Sequence, residues 1–218
     1  MNSQPVNPEQ SISYLHTREW HLNVSVEGGR GVAALQVEEN EYWSAADGRV
    51  RILEQRPDSP AADHSNTGRV EWAPGLPTDP TGLGEYLLKD APSAQHNVPA
   101  TLVMIASAQR LHNQAVPAAL AEAFFQVLTG RPDLLPLGEM TDRAGRTGVG
   151  YGFEFTFGPR RRLTLIFDRD THALLATEEL MLEPGRLRVE VPAVASYVLY
   201  LEQGWVPSMS DRPLLRQA

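Results

Sequence analysis

The chain has 218 residues, a formal net charge of −8, 42% hydrophobic and 21% charged residues, and no cysteine. This composition is that of a globular domain long enough to bury a sizeable core. The missing cysteines exclude disulfides, thiolate metal sites and a cysteine nucleophile. The acidic balance argues against a nucleic-acid partner, which would need a basic face.

The first third of the chain is predicted to be β-structure. From Ile12 to Val26 one alternating row of residues is mostly apolar and the other mostly polar, which is typical of a half-buried strand. The turn EGGRG, the strand VAALQVEENEYWSA and the strand VRILEQR continue an antiparallel meander. Residues 57–69 are rich in Pro, Ser, Asp and Asn and are predicted to form a mobile loop.

The middle of the chain is predicted to be helical. A short helix begins near DPTG, with Asp79 as N-cap and Pro80 at the first helical position. Helical content continues in VPATLVMIASAQRLHNQ. The clearest helix is VPAALAEAFFQVLTG, because Leu120, Phe124 and Leu128 recur on one face and Gly130 suits its end.

From Leu137 onward the β pattern returns in hairpins and ends with ASYVLYLEQGWV. Strands, then helices, then strands favour an α+β fold: one twisted antiparallel β-sheet with helices on one face. We expect one domain over residues 10–206, with polar tails at 1–9 and 207–218.

The stretch LIFDRDTHALL places Asp168, Asp170 and His172 at every second position, and two carboxylates with an imidazole could be half of a metal site. The alternative is a hairpin turn, because apolar runs flank it on both sides. Asp168 can accept backbone N–H bonds from Asp170 or Thr171, and His172 falls where a positive φ is expected. We interpret the stretch as a turn and expect no metal.

The glycines of TDRAGRTGVGYG suggest a phosphate loop, but such a loop needs a helix after it. Here a strand follows, so Gly145 is assigned to a hairpin. Gly148, Gly150 and Gly152 are expected on the strand face opposite the aromatic residues.

Four aromatic residues, Tyr151, Phe153, Phe155 and Phe157, project to one side of a single strand. Helices packing on this face would explain them. Alternatively, sheet and helices leave an apolar cavity between them. The predicted ligand-binding residues in that case are Phe124, Leu128, Tyr151, Phe153, Phe155, Leu165 and Phe167.

The turn GPRRRL concentrates Arg160, Arg161 and Arg162, which we predict to form a solvated hairpin tip; contact with anionic headgroups is the alternative. The histidines have no HExxH spacing, and no GxSxG elbow is present. We therefore expect no enzyme activity, no catalytic residue and no cofactor.

Several segments occur in an order that resembles a family of uncharacterised actinobacterial proteins with an extracytoplasmic domain behind one membrane anchor. They lie between about Gln10 and Leu182, and the chain departs from the family at His172, where Gly is more frequent. The segments are EQSISYLHTREW, EYWSAADGRVR, GLPTDPTGLGEYLL, PAALAEAFFQVLTGRPDLLPLGEMTDRAGRTGVG and RRLTLIFDRDTHALLATEEL. The order of elements also resembles, more distantly, the lipoprotein-carrier (LolA-like) half-barrel. This resemblance implies that the α+β fold has a curved, half-barrel-like antiparallel β-sheet with two or three helices packed on its concave face.

The resemblance implies an extracytoplasmic location, with a membrane tether in a longer protein, or a cytoplasmic one if the chain is complete. Two functional hypotheses follow. The first is a non-enzymatic binding or sensing domain that holds a lipid-like apolar molecule between sheet and helices. The second is a protein-interaction module with a filled core, such as the outer domain of an anti-sigma-type regulator, with an exposed patch at Trp20, Trp43 or Trp205.

Overall fold

The structure is a computed structural model that describes residues 11–27, 30–68, 71–89, 98–156, 158–184 and 190–213. Within these ranges the helices are α1 (Pro80–Leu88), α2 (Ala100–Leu111) and α3 (Ala118–Thr129). The strands are β1 (Ile12–Glu27), β2 (Arg30–Ser44), β3 (Arg49–Gln55), β4 (Ala62–Thr67), β5 (Leu135–Thr141), β6 (Thr147–Phe155), β7 (Arg161–Phe167), β8 (Leu174–Met181) and β9 (Ala193–Val206).

All nine strands belong to one sheet in the order β4-β3-β2-β1-β9-β8-β7-β6-β5. Every neighbouring pair is antiparallel, and β4 and β5 are the two edges of an open sheet. The α+β fold with an antiparallel sheet and three helices is therefore confirmed. None of the helices in the described ranges is both long and apolar enough to cross a membrane.

The helices pack on one face of the sheet, which we call the inner face. On β6 and β7 the inner row is apolar, and Phe153, Leu165 and Phe167 lie in one core with Phe124 and Leu128 of α3. Since alternate residues of a strand share a face, the aromatic row predicted on β6 is confirmed for Tyr151, Phe153 and Phe155. Phe157 lies outside the described residues.

The opposite, outer row of β6 carries Gly148, Gly150 and Gly152, as expected, followed by Glu154. A Cβ added at Gly148 would lie 2.3 Å from the carbonyl oxygen of Phe167, and one at Gly150 would lie 2.2 Å from Sδ of Met140. Gly145, with φ of 84°, is in the β5–β6 turn. These glycines therefore allow a close approach of neighbouring chain on the outer face and a tight turn, and they do not form a phosphate loop.

Strand β1 presents its polar row, not its apolar row, to the inner face. Ser13 and Thr17 lie on the same face as Leu15, which belongs to the helix-covered core. Ile12 and Tyr14 point to the outer face. There they form a second, smaller core together with Trp43, Ala45 and Val206.

The segment that follows β9 covers this outer core. Trp43 Nε1 donates to the carbonyl of Asp211 at 2.6 Å, and Arg51 donates to the carbonyl of Met209 at 2.9 Å. The guanidinium of Arg212 pairs with Glu41. Residues 207–213, which the sequence assigns to a polar tail, thus lie against the sheet.

The prediction of a mobile loop at 57–69 is wrong for its second half. Ala62–Thr67 forms β4, which pairs with β3 and carries the Arg51–Asp63 ion pair at 2.7 Å. Its side chains show no apolar alternation because an edge strand exposed on both faces needs none. The helix start at Asp79 is confirmed, since its carboxylate accepts from Gly82 N at 2.7 Å.

One arginine at the β5–β6 turn connects this hairpin to the middle of the sheet. Arg146 pairs with the buried carboxylate of Asp142 at 2.6 Å and donates to the carbonyls of Tyr200 at 2.6 Å and Leu175 at 2.8 Å. Register shifts occur beside both acceptors: Leu175 is the extra residue of β8, and Tyr200 precedes the extra residue Leu201 of β9. Such bulges disrupt the ladder locally, and Arg146 supplies donors at both.

We expect Arg146→Met to lower the free energy of unfolding by roughly 3–5 kcal/mol, because it leaves the buried Asp142 carboxylate without its cation. Arg143→Met is the matched control in the same turn. Arg143 pairs with Glu178 at the surface, and such pairs contribute at most about 1 kcal/mol. Urea unfolding of both variants at neutral pH measures the difference; equal losses would contradict this role of Arg146.

Candidate binding groove

The predicted ligand-binding residues lie together but fill the space between sheet and helices. Phe124, Leu128, Phe153, Leu165 and Phe167 are each 3% exposed or less. The remaining two residues are partly buried. Tyr151 contacts Phe125 and Phe167 edge to face, and Phe155 stacks on Phe153. Ligand binding at these residues stays a prediction that this packing does not support.

Beside this packed layer, an open cleft of about 470 Å³ lies between α2 and the inner face of the sheet. A second cleft of about 260 Å³ adjoins it toward β2 and β3. Arg110 and Asn113 line both clefts. We call the two together the inner groove; it is lined chiefly by Glu19, His21, Tyr42, Ile52, Glu71, Leu102, Gln109, Arg110, Asn113, Phe155, Arg161, Leu163, Glu179, Ser196, Val198 and Tyr200.

The centre of the inner groove is polar. The Glu19 carboxylate projects from β1 and accepts hydrogen bonds from Thr17 at 2.9 Å and from Tyr42 at 3.4 Å. Burial raises the pKa of the Tyr42 and Tyr200 phenols, and the charge of Glu19 adds to the rise. Both phenols are therefore neutral over the physiological pH range.

Ion pairs flank this centre. Arg161 pairs with Glu179 at the β7–β8 side, and Glu71 pairs with Lys89 at 2.5 Å and with Arg110 at 3.1 Å at the β2–β3 side. The hydrogen bond from Lys89 is the main cause that holds the pKa of Glu71 below its ordinary value. The predicted solvated tip is wrong for Arg161, because it belongs to β7 and lines the groove.

A buried histidine lies at the end of α2, directly between groove residues. His112 is 4% exposed, contacts the rings of Phe124 at 4.9 Å and Tyr200 at 5.8 Å, and its Nδ1 lies 2.6 Å from the carbonyl of Ala108. The neutral ring donates from Nδ1 to that carbonyl. Burial lowers the pKa of His112 from 6.5 to about 4, although this hydrogen bond opposes the shift.

Because the folded state resists protonation of His112, the unfolded state binds more protons as the pH falls from 6.5 toward 4. The stabilisation of the folded state that comes from keeping His112 neutral is therefore fully present above pH 6.5 and is lost as the pH falls from 6.5 toward 4. We expect the wild type to lose roughly 3 kcal/mol relative to His112→Leu between pH 7 and pH 4. Denaturant unfolding of both proteins across this range measures it, and parallel pH curves would contradict it.

The Asp168–Asp170–His172 stretch is a turn, as predicted. The Asp168 carboxylate accepts from the backbone N–H groups of Asp170 at 3.1 Å and Thr171 at 2.8 Å, and His172 has φ of 55°. These backbone bonds, led by that of Thr171, lower the pKa of Asp168. His172 stacks on Phe125 with ring centroids 4.0 Å apart, which helps to position α3 over the sheet.

Of the tryptophans proposed as an exposed patch, Trp43 is buried and Trp20 and Trp205 are half-buried. Trp43 is fully buried under the segment after β9. Trp20 stacks on Tyr197 with centroids 5.7 Å apart, and Trp205 contacts Trp72. The large exposed hydrophobic residues within the described ranges are instead Leu35, Leu135 and Leu137.

Sequence reasoning missed the groove residues Glu19, Tyr42, Arg110 and Tyr200. The alternation of β1 did place Glu19 on a polar row. The sequence held no signal that this row faces the helices, because the apolar row opposite it is covered by a segment more than 180 residues away along the chain.

Comparisons with known proteins give a distant likeness. No protein-family model and no curated protein matches the chain. The complex of Pseudomonas aeruginosa MucA and MucB gives a TM-score of 0.38 at 16% identity over 93% of this chain and 55% of the other. The structure of MucB by itself gives a TM-score of 0.40 at 15% identity, over 93% of this chain and 56% of the MucB chain.

A dehydratase domain of the curacin polyketide synthase gives a TM-score of 0.20 at 7% identity, over 93% of this chain and 77% of that domain. The chain spans about half the length of the MucB structures it matches. Likenesses of this strength carry no partner and no activity to this chain. Membership in the actinobacterial family stays a prediction.

Proposed function

We propose that this domain is a protein-interaction module and that its inner groove holds an extended segment of a partner polypeptide. The observation that carries the proposal is that two clefts sharing Arg110 and Asn113 lie side by side along the sheet. The lining residues of the groove come from the seven successive strands β3, β2, β1, β9, β8, β7 and β6. The groove therefore runs across the strands, alongside α2.

The length of the groove suits a peptide. Seven strands at ~4.8 Å spacing span about 29 Å, which is the length of about nine residues of extended chain. Its lining alternates apolar side chains, such as Leu102 and Val198, with charged and amide side chains, such as Glu19 and Asn113. A polypeptide segment offers the same mixture, whereas small-molecule pockets are mostly apolar and enclose their ligand.

An apolar ligand would have only a smaller part of the groove available to it. Phe155, Leu163, Leu102 and Val198 form an apolar part of the larger cleft, where a hydrocarbon chain could lie. This part continues directly into the polar centre. The extracytoplasmic location and an anti-sigma-type role stay predictions from the resemblance.

The proposal is tested by filling the groove. Nonapeptides are selected by phage display on the immobilised wild type, and their affinities are measured by fluorescence polarisation for wild type, Ser196→Trp and Ala119→Trp. Ser196 lines the groove on β9, and an indole there occupies it. Ala119 is exposed at the start of α3, so the same added bulk lies away from the groove.

We expect Ser196→Trp to weaken peptide binding at least tenfold, because the indole excludes the segment, while Ala119→Trp binds as the wild type does. Thermal unfolding confirms that both variants are folded. Peptides that bind all three proteins equally would refute the groove as the site. An apolar molecule extracted from the wild type but absent from Ser196→Trp would favour the apolar-ligand hypothesis instead.

A further inference from the structure

One carboxylate of the inner groove differs from the others in its partners. Glu71 is paired with Lys89 and Arg110, and Glu179 is paired with Arg161. Within the described residues, the only ion pair of Glu19 is with His21, whose Nε2 lies 3.3 Å from Oε2 of Glu19. An imidazole is not permanently charged as a guanidinium or an ammonium is, so Glu19 has no fixed cation.

The surroundings hold Glu19 in place from one side. Its Oε1 accepts hydrogen bonds from Thr17 at 2.9 Å, Tyr42 at 3.4 Å and Asn40 at 3.5 Å. Thr17 and Asn40 are buried, so these donors belong to a rigid part of the sheet. Its Oε2 is contacted by His21, which is 38% exposed. Oε1 thus accepts from three neutral donors, whereas the hydrogen bonds and ion pairs of the described residues give Oε2 only His21.

Two aromatic side chains accompany this carboxylate. Tyr42 donates its hydroxyl to Glu19 at 3.4 Å, and Tyr42 and Tyr200 both line the groove. Aromatic rings beside a carboxylate offer a packing surface to the aliphatic stem of a basic side chain. The combination suits a lysine or arginine side chain.

We propose that Glu19, with Tyr42 and Tyr200, forms the subsite that binds a lysine or arginine side chain of the segment held in the inner groove. The inference rests on the proposed function. Its physical reason is desolvation. The Glu19 side chain is 19% exposed in the open groove, and a bound segment removes the remaining water. A carboxylate covered in this way destabilises the complex unless a cation pairs with it.

Glu71 and Glu179 do not select a basic side chain of the bound segment, because the binding of the segment leaves neither of them without a cation. Their arginine and lysine partners already neutralise them before any segment binds. A partner residue opposite those pairs meets a compensated surface, where charge adds little. Selectivity is therefore expected at one position of the segment.

The test uses the nonapeptides selected on the wild type. The wild type, Glu19→Gln and Glu85→Gln are each measured with a selected peptide and with its copy in which the basic residue is norleucine. Glu85 is an exposed carboxylate on α1, so Glu85→Gln makes the same change in net charge outside the groove. Glutamine keeps the size of Glu19, removes its charge and replaces one acceptor oxygen with an NH2 donor.

We expect selected peptides to share a lysine or arginine at one position. Norleucine there weakens binding to the wild type and to Glu85→Gln by roughly tenfold to a hundredfold, the effect of losing a charge-assisted hydrogen bond. For Glu19→Gln the two peptides bind within about threefold of each other. That pattern supports the subsite.

Two results overturn the inference while the proposed function stands. One is a set of groove-dependent peptides without a shared basic residue. The other is a norleucine effect of the same size on the wild type and on Glu19→Gln. If no selected peptide is sensitive to Ser196→Trp, the proposed function fails and the subsite fails with it.

Discussion

The sheet depends on one guanidinium group, that of Arg146, which supplies hydrogen-bond donors where two bulges interrupt the regular ladder of β8 and β9. Arg146 leaves the β5–β6 turn and reaches carbonyls beside the bulges of β8 and β9, while its charge is held by a carboxylate without solvent exposure. Bulges bend strands and increase their twist. Their carbonyls need donors from outside the ladder, and a rigid five-donor group supplies them without a water molecule. Arg146 therefore connects the β5–β6 turn to both bulged strands.

The inner face has two halves with different chemistry. On β6 and β7 it is aromatic and aliphatic, and α3 covers it with Phe124 and Leu128. On β1 and β9 it also carries the polar side chains Glu19 and Ser196, and these line the open groove. Apolar burial drives helix packing, whereas a polar row gains little from it. The boundary of the helix layer thus follows the polarity of the strands, and the groove is the uncovered remainder.

Much of this fold could be predicted from the sequence, because its signals are local. Period-two alternation located β1, β6 and β7, and helical spacing with the caps at Asp79 and Gly130 located α1 and α3. The turn at Asp168 followed from backbone hydrogen-bonding chemistry. The site could not be predicted in the same way. The apolar row of β1 is covered by residues 207–213, which are far away along the chain. The aromatic row of β6 has the same sequence pattern whether it packs in a core or lines a cavity.

Those last residues make the outer surface of the sheet depend on a short stretch without regular structure. Trp43 lies between the guanidiniums of Arg51 and Arg212, whose carbons are 4.8 and 5.7 Å from its ring centre, and donates its indole N–H to Asp211. A protein shortened to Val206 would keep every strand and helix. It would nevertheless expose the indole of Trp43 to water and remove the arginine partner of Glu41. An apolar surface exposed on a β-sheet invites stacking of one molecule on another, and residues 207–213 cover it here.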